Sequence, residues 1–248
     1  MSKRVVILMT TLFCVAPIRA QVSSADATAA QLAQQVAQMK EQLADWASLH
    51  RYRDENTALP PVTKDEQRVV FFGDSITDFW GRKAGSFFPG KPYVNRGIWG
   101  QTTPQMLLRF EQDVVHLHPA VVVVLAGAND IAGNTGPSTP QMIEDNFSAM
   151  AAIARQNGIK MVFASILPAD HYWWSPTVHP VEAIRTVNQW LKIFCSQHGL
   201  TYLDYYGSMA DSKGAMRKGL SSDGVHPTTQ GYDVMAVLAE RSILKLTK

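Results

Sequence analysis

Three polar residues stand at positions where they could carry out nucleophilic catalysis. Ser75 follows a Gly-Asp pair directly after an apolar run, and Asp223 and His226 lie three residues apart near the C-terminus. A serine hydroxyl is a poor nucleophile at neutral pH and needs a base within hydrogen-bond reach, itself oriented by a third group. A turn at Gly224 would let Asp223 orient the His226 ring, so the set predicts covalent catalysis with Ser75 as the nucleophile.

Attack on an ester carbonyl creates a negatively charged oxygen, which requires fixed hydrogen-bond donors. The sequence offers the backbone N–H groups of Ser75 and Gly100 and the side-chain amide of Asn129. Gly100 has no side chain to block a close approach, and an amide can donate where an ionised carboxylate cannot. These three residues are therefore the candidate oxyanion hole.

The elements that must position these residues follow an alternation of strands and helices. Short apolar, β-branched runs predict five strands, at residues 69–72, 93–95, 120–125, 161–165 and 201–203. Segments of helical period predict helices at residues 104–116, 140–157, 180–198 and 229–245. This order predicts an α/β fold, a three-layer α/β/α sandwich around a parallel sheet.

The candidate residues fall where such a sheet gathers its functional groups. In an open parallel sheet these groups lie at the carboxyl ends of the strands. Ser75, Gly100 and Asn129 follow the first three predicted strands, and Asp223 and His226 precede the last predicted helix. Each motif is common on its own, but together in one domain they favour a single active site.

The same residues carry a resemblance to a known family. The segments FGDSIT (72–77), NRGIWGQTT (95–103) and GAND (127–130), with the DGVHP segment (223–227), resemble the SGNH or GDSL hydrolases. They look most like the branch of platelet-activating-factor acetylhydrolase subunits and bacterial acyl or carbohydrate esterases. The four name-giving residues match Ser75, Gly100, Asn129 and His226, and Asp223 matches the triad aspartate.

The resemblance implies a flavodoxin-like fold and a metal-free, cofactor-free acyl-enzyme mechanism acting on esters, thioesters or acetylated sugars. It does not name the substrate. An acyltransferase would use the same triad, and a non-catalytic carbohydrate-binding protein could share the fold. Trp99 stands before Gly100 where relatives often carry a small residue, which would narrow the pocket.

Aromatic residues near the predicted site are candidates for substrate binding. The candidates are Trp80, Trp99, Tyr172, Trp173 and Trp174. Packing against an adjacent helix is the alternative for each. Aromatic rims suit sugars and aryl esters, so the set favours a carbohydrate or small acyl ester over a long-chain lipid.

The N-terminus has the layout of a secretory signal peptide over residues 1–20. Lys3 and Arg4 precede an apolar run at residues 5–16, and Ala20 is a small residue at the expected cleavage site. The run is too short for an ordinary membrane-spanning helix. We therefore expect an exported protein, periplasmic or extracellular, with a retained anchor as the alternative.

Residues 21–65 are predicted to be a helical leader and a linker ahead of the hydrolase domain at residues 66–248. Over residues 25–53 a stripe of apolar residues spaced four and three apart predicts a helix, and residues 56–65 contain Pro60-Pro61 and resemble a linker. The helix could lie against the main domain, remain a partly free leader or join two chains in a short coiled-coil homodimer.

Charge and cysteine content restrict the remaining possibilities. Loss of the signal peptide removes three basic residues and no acid, so the formal net charge falls from +2 to −1. No basic run is present, which argues against a nucleic-acid partner. Cys195 would be the only cysteine left and is expected to be a buried, inert thiol. No histidine has partners at a spacing that suits a metal site.

Overall fold

The computed structural model describes residues 18–247. The predicted signal peptide therefore lies outside the described residues, except for its last three, which begin the first helix. The chain divides into two units, one ending at Trp46 and the other beginning at Ala47. Within residues 18–247, no helix combines the length and the apolar character needed to cross a membrane.

The first unit contains a single described helix, α1 (Ile18–Ala44), which ends earlier than the predicted segment 25–53. Its apolar stripe is exposed to solvent at Leu32, Val36, Met39 and Leu43. Association of two chains through this stripe stays a prediction.

The second unit holds the remaining helices and all the described strands. In chain order they are α2 (Arg53–Ala58), β1 (Val69–Gly73), α3 (Ser75–Phe79), β2 (Tyr93–Gly97), α4 (Thr103–Asp113), β3 (Val121–Leu125), α5 (Ala128–Ile131), α6 (Pro140–Gln156), β4 (Lys160–Ala164), α7 (Val181–His198), β5 (Thr201–Leu203), α8 (Tyr205–Met209) and α9 (Thr229–Leu244). A short 3₁₀ turn, Val115–Leu117, follows α4.

The five strands form one parallel sheet in the order β2-β1-β3-β4-β5. This is the flavodoxin-like order, and the connections change direction between β1 and β3. Ligands bind outside the carboxyl ends of the strands at such a point. The predicted α/β fold with five parallel strands is confirmed, and the topology places the residues after β1 and β3 at the ligand-binding edge.

Alternate residues of the strands supply two separate cores, one on each face of the sheet. Phe72 and Val124 pack with buried residues of α4, α6 and α7. Phe71 and Val123 pack with buried residues of α3, α8 and α9 on the other face. Both faces of β1 and β3 are buried, which explains their continuous apolar runs and produces the three-layer arrangement.

The compact second unit begins at Ala47 and therefore includes part of the segment predicted to be a linker, while the hydrolase-domain boundary at residue 66 stays a prediction. Asn56, in α2, donates to the Asp113 carboxylate at 2.7 Å and accepts from Arg96 Nε at 2.7 Å. Tyr52 is fully buried and its hydroxyl donates to the Gly97 carbonyl. These contacts use polar groups far along the chain, so composition around Pro60 could not reveal them.

Cys195 lies in α7 with about 1% of its surface exposed. Burial raises the pKa of its thiol to about 12. The expected burial of Cys195 is confirmed, and because only the thiolate is a good nucleophile, the raised pKa supports the expectation that the thiol is inert.

Candidate active site

Ser75 is the first residue of α3 and follows the end of β1 after a tight turn. A side chain at Gly73 would bring its Cβ within 2.6 Å of the Leu125 carbonyl oxygen and closer still to the Thr77 hydroxyl, so only glycine fits there. Asp74 caps α3 by accepting a 2.9 Å hydrogen bond from the backbone N–H of Ile76. This turn holds Ser75 at the carboxyl edge of the sheet.

Ser75, His226 and Asp223 are joined by hydrogen bonds in the order that general-base catalysis requires. The Oγ of Ser75 lies 3.0 Å from Nε2 of His226, and Nδ1 of His226 lies 2.7 Å from Oδ2 of Asp223. Because an ionised carboxylate only accepts, Nδ1 of a neutral ring carries the proton and Nε2 faces the serine hydroxyl as the acceptor. The arrangement can remove a proton from Ser75.

The carboxylate of Asp223 is held in its ionised form. Burial would raise its pKa, but the hydrogen bonds from the His226 ring and from the backbone N–H groups of His226 and Val225 outweigh burial and lower the pKa to about 2. Asp223 therefore remains a negative partner for the imidazole across the ordinary pH range.

The loop that carries Asp223 and His226 is fixed by its own hydrogen bonds. The hydroxyl of Ser221 donates to the His226 carbonyl at 2.7 Å, and Ser221 also pairs with Pro227 in an isolated antiparallel bridge. Gly224 has a φ of +85°, and a Cβ there would lie 2.9 Å from the His171 ring. A compact turn before α9 thus brings the side chains of Asp223 and His226 together.

The predicted oxyanion-hole residues share one cavity with Ser75 and His226. This cavity of about 320 Å³ is lined by Ser75, Trp99, Gly100, Asn129, Asn134, Trp173, Trp174 and His226. Gly100 has a φ of +77°, a left-handed conformation that side chains disfavour. The Asn129 amide donates one hydrogen to the Gln101 carbonyl at 2.9 Å, which leaves its second hydrogen for another acceptor.

Three of the five aromatic candidates lie on this cavity. Trp99 and Trp173 are 64% and 59% exposed, and Trp174 lies beside them with its ring centroid 6.4 Å from that of His226. Large exposed aromatic surfaces at a cavity mouth can stack on a flat or sugar-like group.

The other two candidates, Trp80 and Tyr172, are buried and do not line this cavity, in contrast to the substrate contact that their position in the sequence predicts. Trp80 is 2% exposed and packs on Phe71, Phe88 and Tyr232 in the core on the α9 side of the sheet. Tyr172 is fully buried and stacks on Trp174 with ring centroids 4.9 Å apart, so it supports the cavity wall from behind.

Two residues that sequence reasoning missed support the site. Asn134 lines the cavity and bonds to Asn129 and Gly100. Arg109 is fully buried in α4 and bonds to the backbone of the strand ends. Arg109 could have been noticed as a charge within the apolar stripe of a helix, beside Met106 and Phe110, whereas the only signal for Asn134 was its place in the loop after GAND.

Among residues 18–247 there is no cluster of three His, Cys, Asp or Glu side chains arranged to hold a metal ion. The groups present in the cavity are a hydroxyl, an imidazole, amides and indole rings. Such groups suit nucleophilic acyl transfer.

Comparison with known proteins assigns the family. The sequence profile of the GDSL-like lipase/acylhydrolase family matches residues 71–234, about two thirds of the chain. The chain belongs to this family. The matched range contains all five candidate catalytic and oxyanion-hole residues, Ser75, Gly100, Asn129, Asp223 and His226.

Two solved structures are similar along almost their whole length. A Bacteroides fragilis protein classed as an acylhydrolase is 40% identical, with a TM-score of 0.80, over 82% of this chain and 99% of that one. A GDSL-like lipase of Bacteroides thetaiotaomicron is 39% identical, with a TM-score of 0.78, over 80% of this chain and 98% of that one.

Curated relatives include the N-acylneuraminate cytidylyltransferase of Streptococcus agalactiae, which is 25% identical over 181 residues. The match covers 69% of this chain and 42% of the relative. The matched part of this chain therefore spans about two fifths of the length of these curated relatives.

Proposed function

We propose that this GDSL-family protein is an exported serine esterase that hydrolyses short-chain acyl or acetyl esters through an acyl-enzyme on Ser75. The observation that carries the proposal is the unbroken chain of hydrogen bonds from Ser75 through His226 to Asp223. Ser75 and His226 line a cavity that is also lined by the two other candidate oxyanion-hole residues, Gly100 and Asn129.

In the first half of the reaction, Nε2 of His226 takes the hydroxyl proton of Ser75 while Oγ forms a bond to the ester carbonyl carbon. The carbonyl oxygen becomes negative and is stabilised by the backbone N–H groups of Ser75 and Gly100 and by the Asn129 amide. The bond to the alcohol then breaks, and His226 returns its proton to the departing alcohol.

In the second half, water takes the place of the alcohol. His226 removes a proton from the water, the hydroxide oxygen attacks the acyl carbon, and the bond from that carbon to Ser75 breaks. The proton passes from His226 back to Ser75, and the carboxylic acid leaves. Asp223 keeps the ring in one orientation and stabilises its protonated form throughout.

The size and lining of the cavity support a short acyl group on a flat or sugar-like alcohol. A volume of about 320 Å³ is at the lower end of the range for small-molecule sites. Trp99 and Trp173 present exposed rings at its mouth, where a sugar or aryl group could stack.

Mutation of the nucleophile tests the activity itself. With p-nitrophenyl acetate as substrate, Ser75→Ala should lower kcat by about 10⁶-fold, the loss found when a triad serine is removed. Ser242→Ala, which removes a hydroxyl from α9, is the matched control and should match the parent. A fluorophosphonate probe should label Ser75 in the parent, and retained activity or labelling in Ser75→Ala would reject the proposal.

A substrate panel tests the acyl preference. We expect kcat/KM to fall roughly tenfold or more from p-nitrophenyl acetate to the octanoate, because a pocket of this size gains little from the longer chain. A peracetylated sugar should release acetate. A preference for octanoate would show that the acyl group lies outside this cavity.

Export is supported by the charged N-terminus and the apolar run that follows it. Expressed in a Gram-negative host with its own N-terminus, the protein should be recovered from the periplasm or medium and begin at Gln21. A chain that retains Met1 and sediments with membranes would favour the anchored alternative.

A further inference from the structure

The side chain of Asn134 connects the candidate oxyanion hole to the aromatic wall of the cavity. Its Nδ2 donates to Oδ1 of Asn129 at 2.9 Å and to the carbonyl oxygen of Gly100 at 3.1 Å. Its Oδ1 accepts from Nε1 of Trp174 at 2.9 Å. Both amide hydrogens and the amide oxygen therefore bond to residues that line the cavity.

These partners permit only one orientation of the Asn134 amide. The indole N–H of Trp174 can only donate, and the Gly100 carbonyl can only accept. Turning the amide over would set its NH₂ group against the indole N–H and its oxygen against the carbonyl. Trp174 and Gly100 thus determine that Asn134 presents a donor to Asn129.

The orientation of the Asn129 amide follows from the same logic. Its oxygen accepts from Asn134, and its nitrogen donates to the Gln101 carbonyl at 2.9 Å. With the amide turned over, a carbonyl oxygen would face the Gln101 carbonyl, and the oxygen's lone pairs would replace the N–H in the cavity. An oxyanion would then meet an acceptor where it needs a donor.

We infer that Asn134 is a positioning residue, held by Trp174 and the Gly100 carbonyl, that fixes the Asn129 amide in the orientation that stabilises the oxyanion. Asn134 acts through Asn129 and does not itself donate to the oxyanion, because both of its amide hydrogens are already used. This inference rests on the proposed esterase function and adds to it the residue that orients the oxyanion-hole amide.

The first experiment separates kcat from KM for Asn134→Ala with p-nitrophenyl acetate. We expect kcat to fall by about 10- to 100-fold, less than the 10²- to 10³-fold loss for removal of an oxyanion donor, with KM within about threefold of the parent. Asn157→Ala, which removes an exposed amide at the end of α6, should leave both constants unchanged. An Asn134→Ala variant with the parent's kcat would overturn the inference.

A double-mutant cycle tests whether Asn134 acts through Asn129. If it does, adding Asn134→Ala to Asn129→Ala should lower kcat by no more than about threefold, because the amide that Asn134 orients is already gone. Losses that multiply fully in the double variant would show that Asn134 acts by another route and would overturn the inference.

Trp174→Phe provides a second variant that keeps an aromatic ring beside Tyr172 and removes the indole N–H group together with the five-membered part of the indole. We expect kcat to fall about threefold to tenfold, because the Asn134 amide loses the donor that selects its orientation. If Asn134→Ala does not fold, this variant decides the question. A Trp174→Phe variant whose kcat equals that of the parent would reject the inference. Ser75-dependent hydrolysis by the parent would stand in either case, so the two proposals fail separately.

Discussion

Arg109, buried in α4, donates a 3.0 Å hydrogen bond from Nη2 to the carbonyl oxygen of Gly73, two residues before Ser75. The same guanidinium donates to the Arg96 carbonyl at 2.9 Å and pairs with Asp113 at 3.1 Å. Burial lowers its pKa to about 10, so it remains charged at neutral pH. One side chain thus ties together the ends of β1 and β2, from which Ser75 and the Gly100 turn follow.

Replacement of Arg109 should therefore destabilise the protein strongly. Arg109→Met leaves Asp113 buried without its cation, and we expect the free energy of unfolding to fall by about 3–5 kcal/mol. Asp113→Asn added to Arg109→Met should recover part of the loss. Urea unfolding measures the stability of the single and the double variant. Arg155→Met, at an exposed position, is the control and should change stability by less than about 0.5 kcal/mol. A loss of that small size for Arg109→Met would contradict this role.

Asp223→Asn should reduce activity and preserve the fold. An amide in place of the carboxylate favours the wrong tautomer of His226, and the loss in kcat should be about 10⁴-fold. Asp233→Asn, on the exposed face of α9, is the matched control. Steady-state rates and thermal melts of the three proteins check the prediction, and equal rates would remove Asp223 from the mechanism.

Asp74 should make stability depend on pH. Burial raises its pKa to about 7, despite the opposing hydrogen bond from the Ile76 N–H group. The folded state therefore favours the protonated carboxyl. The stability it contributes is complete below its unfolded pKa, near 4, and is lost as the pH rises through about 7.

Asp74→Asn removes this titration and keeps an oxygen that can accept from Ile76. The melting temperature of the variant relative to the parent should therefore be higher at pH 8 than at pH 5. Asp233→Asn, measured in the same buffers, controls for the loss of a carboxylate. A difference between Asp74→Asn and the parent that is the same at both pH values would rule out the raised pKa.

The tryptophans should divide into two groups. Trp99→Ala and Trp173→Ala remove exposed rings at the cavity mouth, so KM for an acetylated sugar should rise roughly tenfold with little loss of stability. Trp80→Ala removes a core ring and should cost about 3–5 kcal/mol of stability. Kinetics and urea unfolding of all three variants test the division, which fails if Trp80→Ala behaves like Trp99→Ala.

The sequence alone predicted the strands, the principal helices and the candidate residues of the site. Continuous apolar runs at β1 and β3 suit strands buried on both faces, and helical periodicity marked α4, α6, α7 and α9. Asp223 and His226 are three residues apart, so their pairing is a local property of the chain. Ser75 could be joined to them because parallel strands bring their carboxyl ends to one edge.

Only the tertiary structure decided which side chains complete the site. Trp80 and Trp99 have the same chemistry, and an indole suits a core as well as a cavity mouth. Whether each ring is buried or exposed depends on packing against residues far along the chain, such as Tyr232 beside Trp80. Arg109 and Asn134 act through backbone carbonyls and amides that come together only after folding. Local sequence specifies which groups are available, whereas long-range packing determines where each one points.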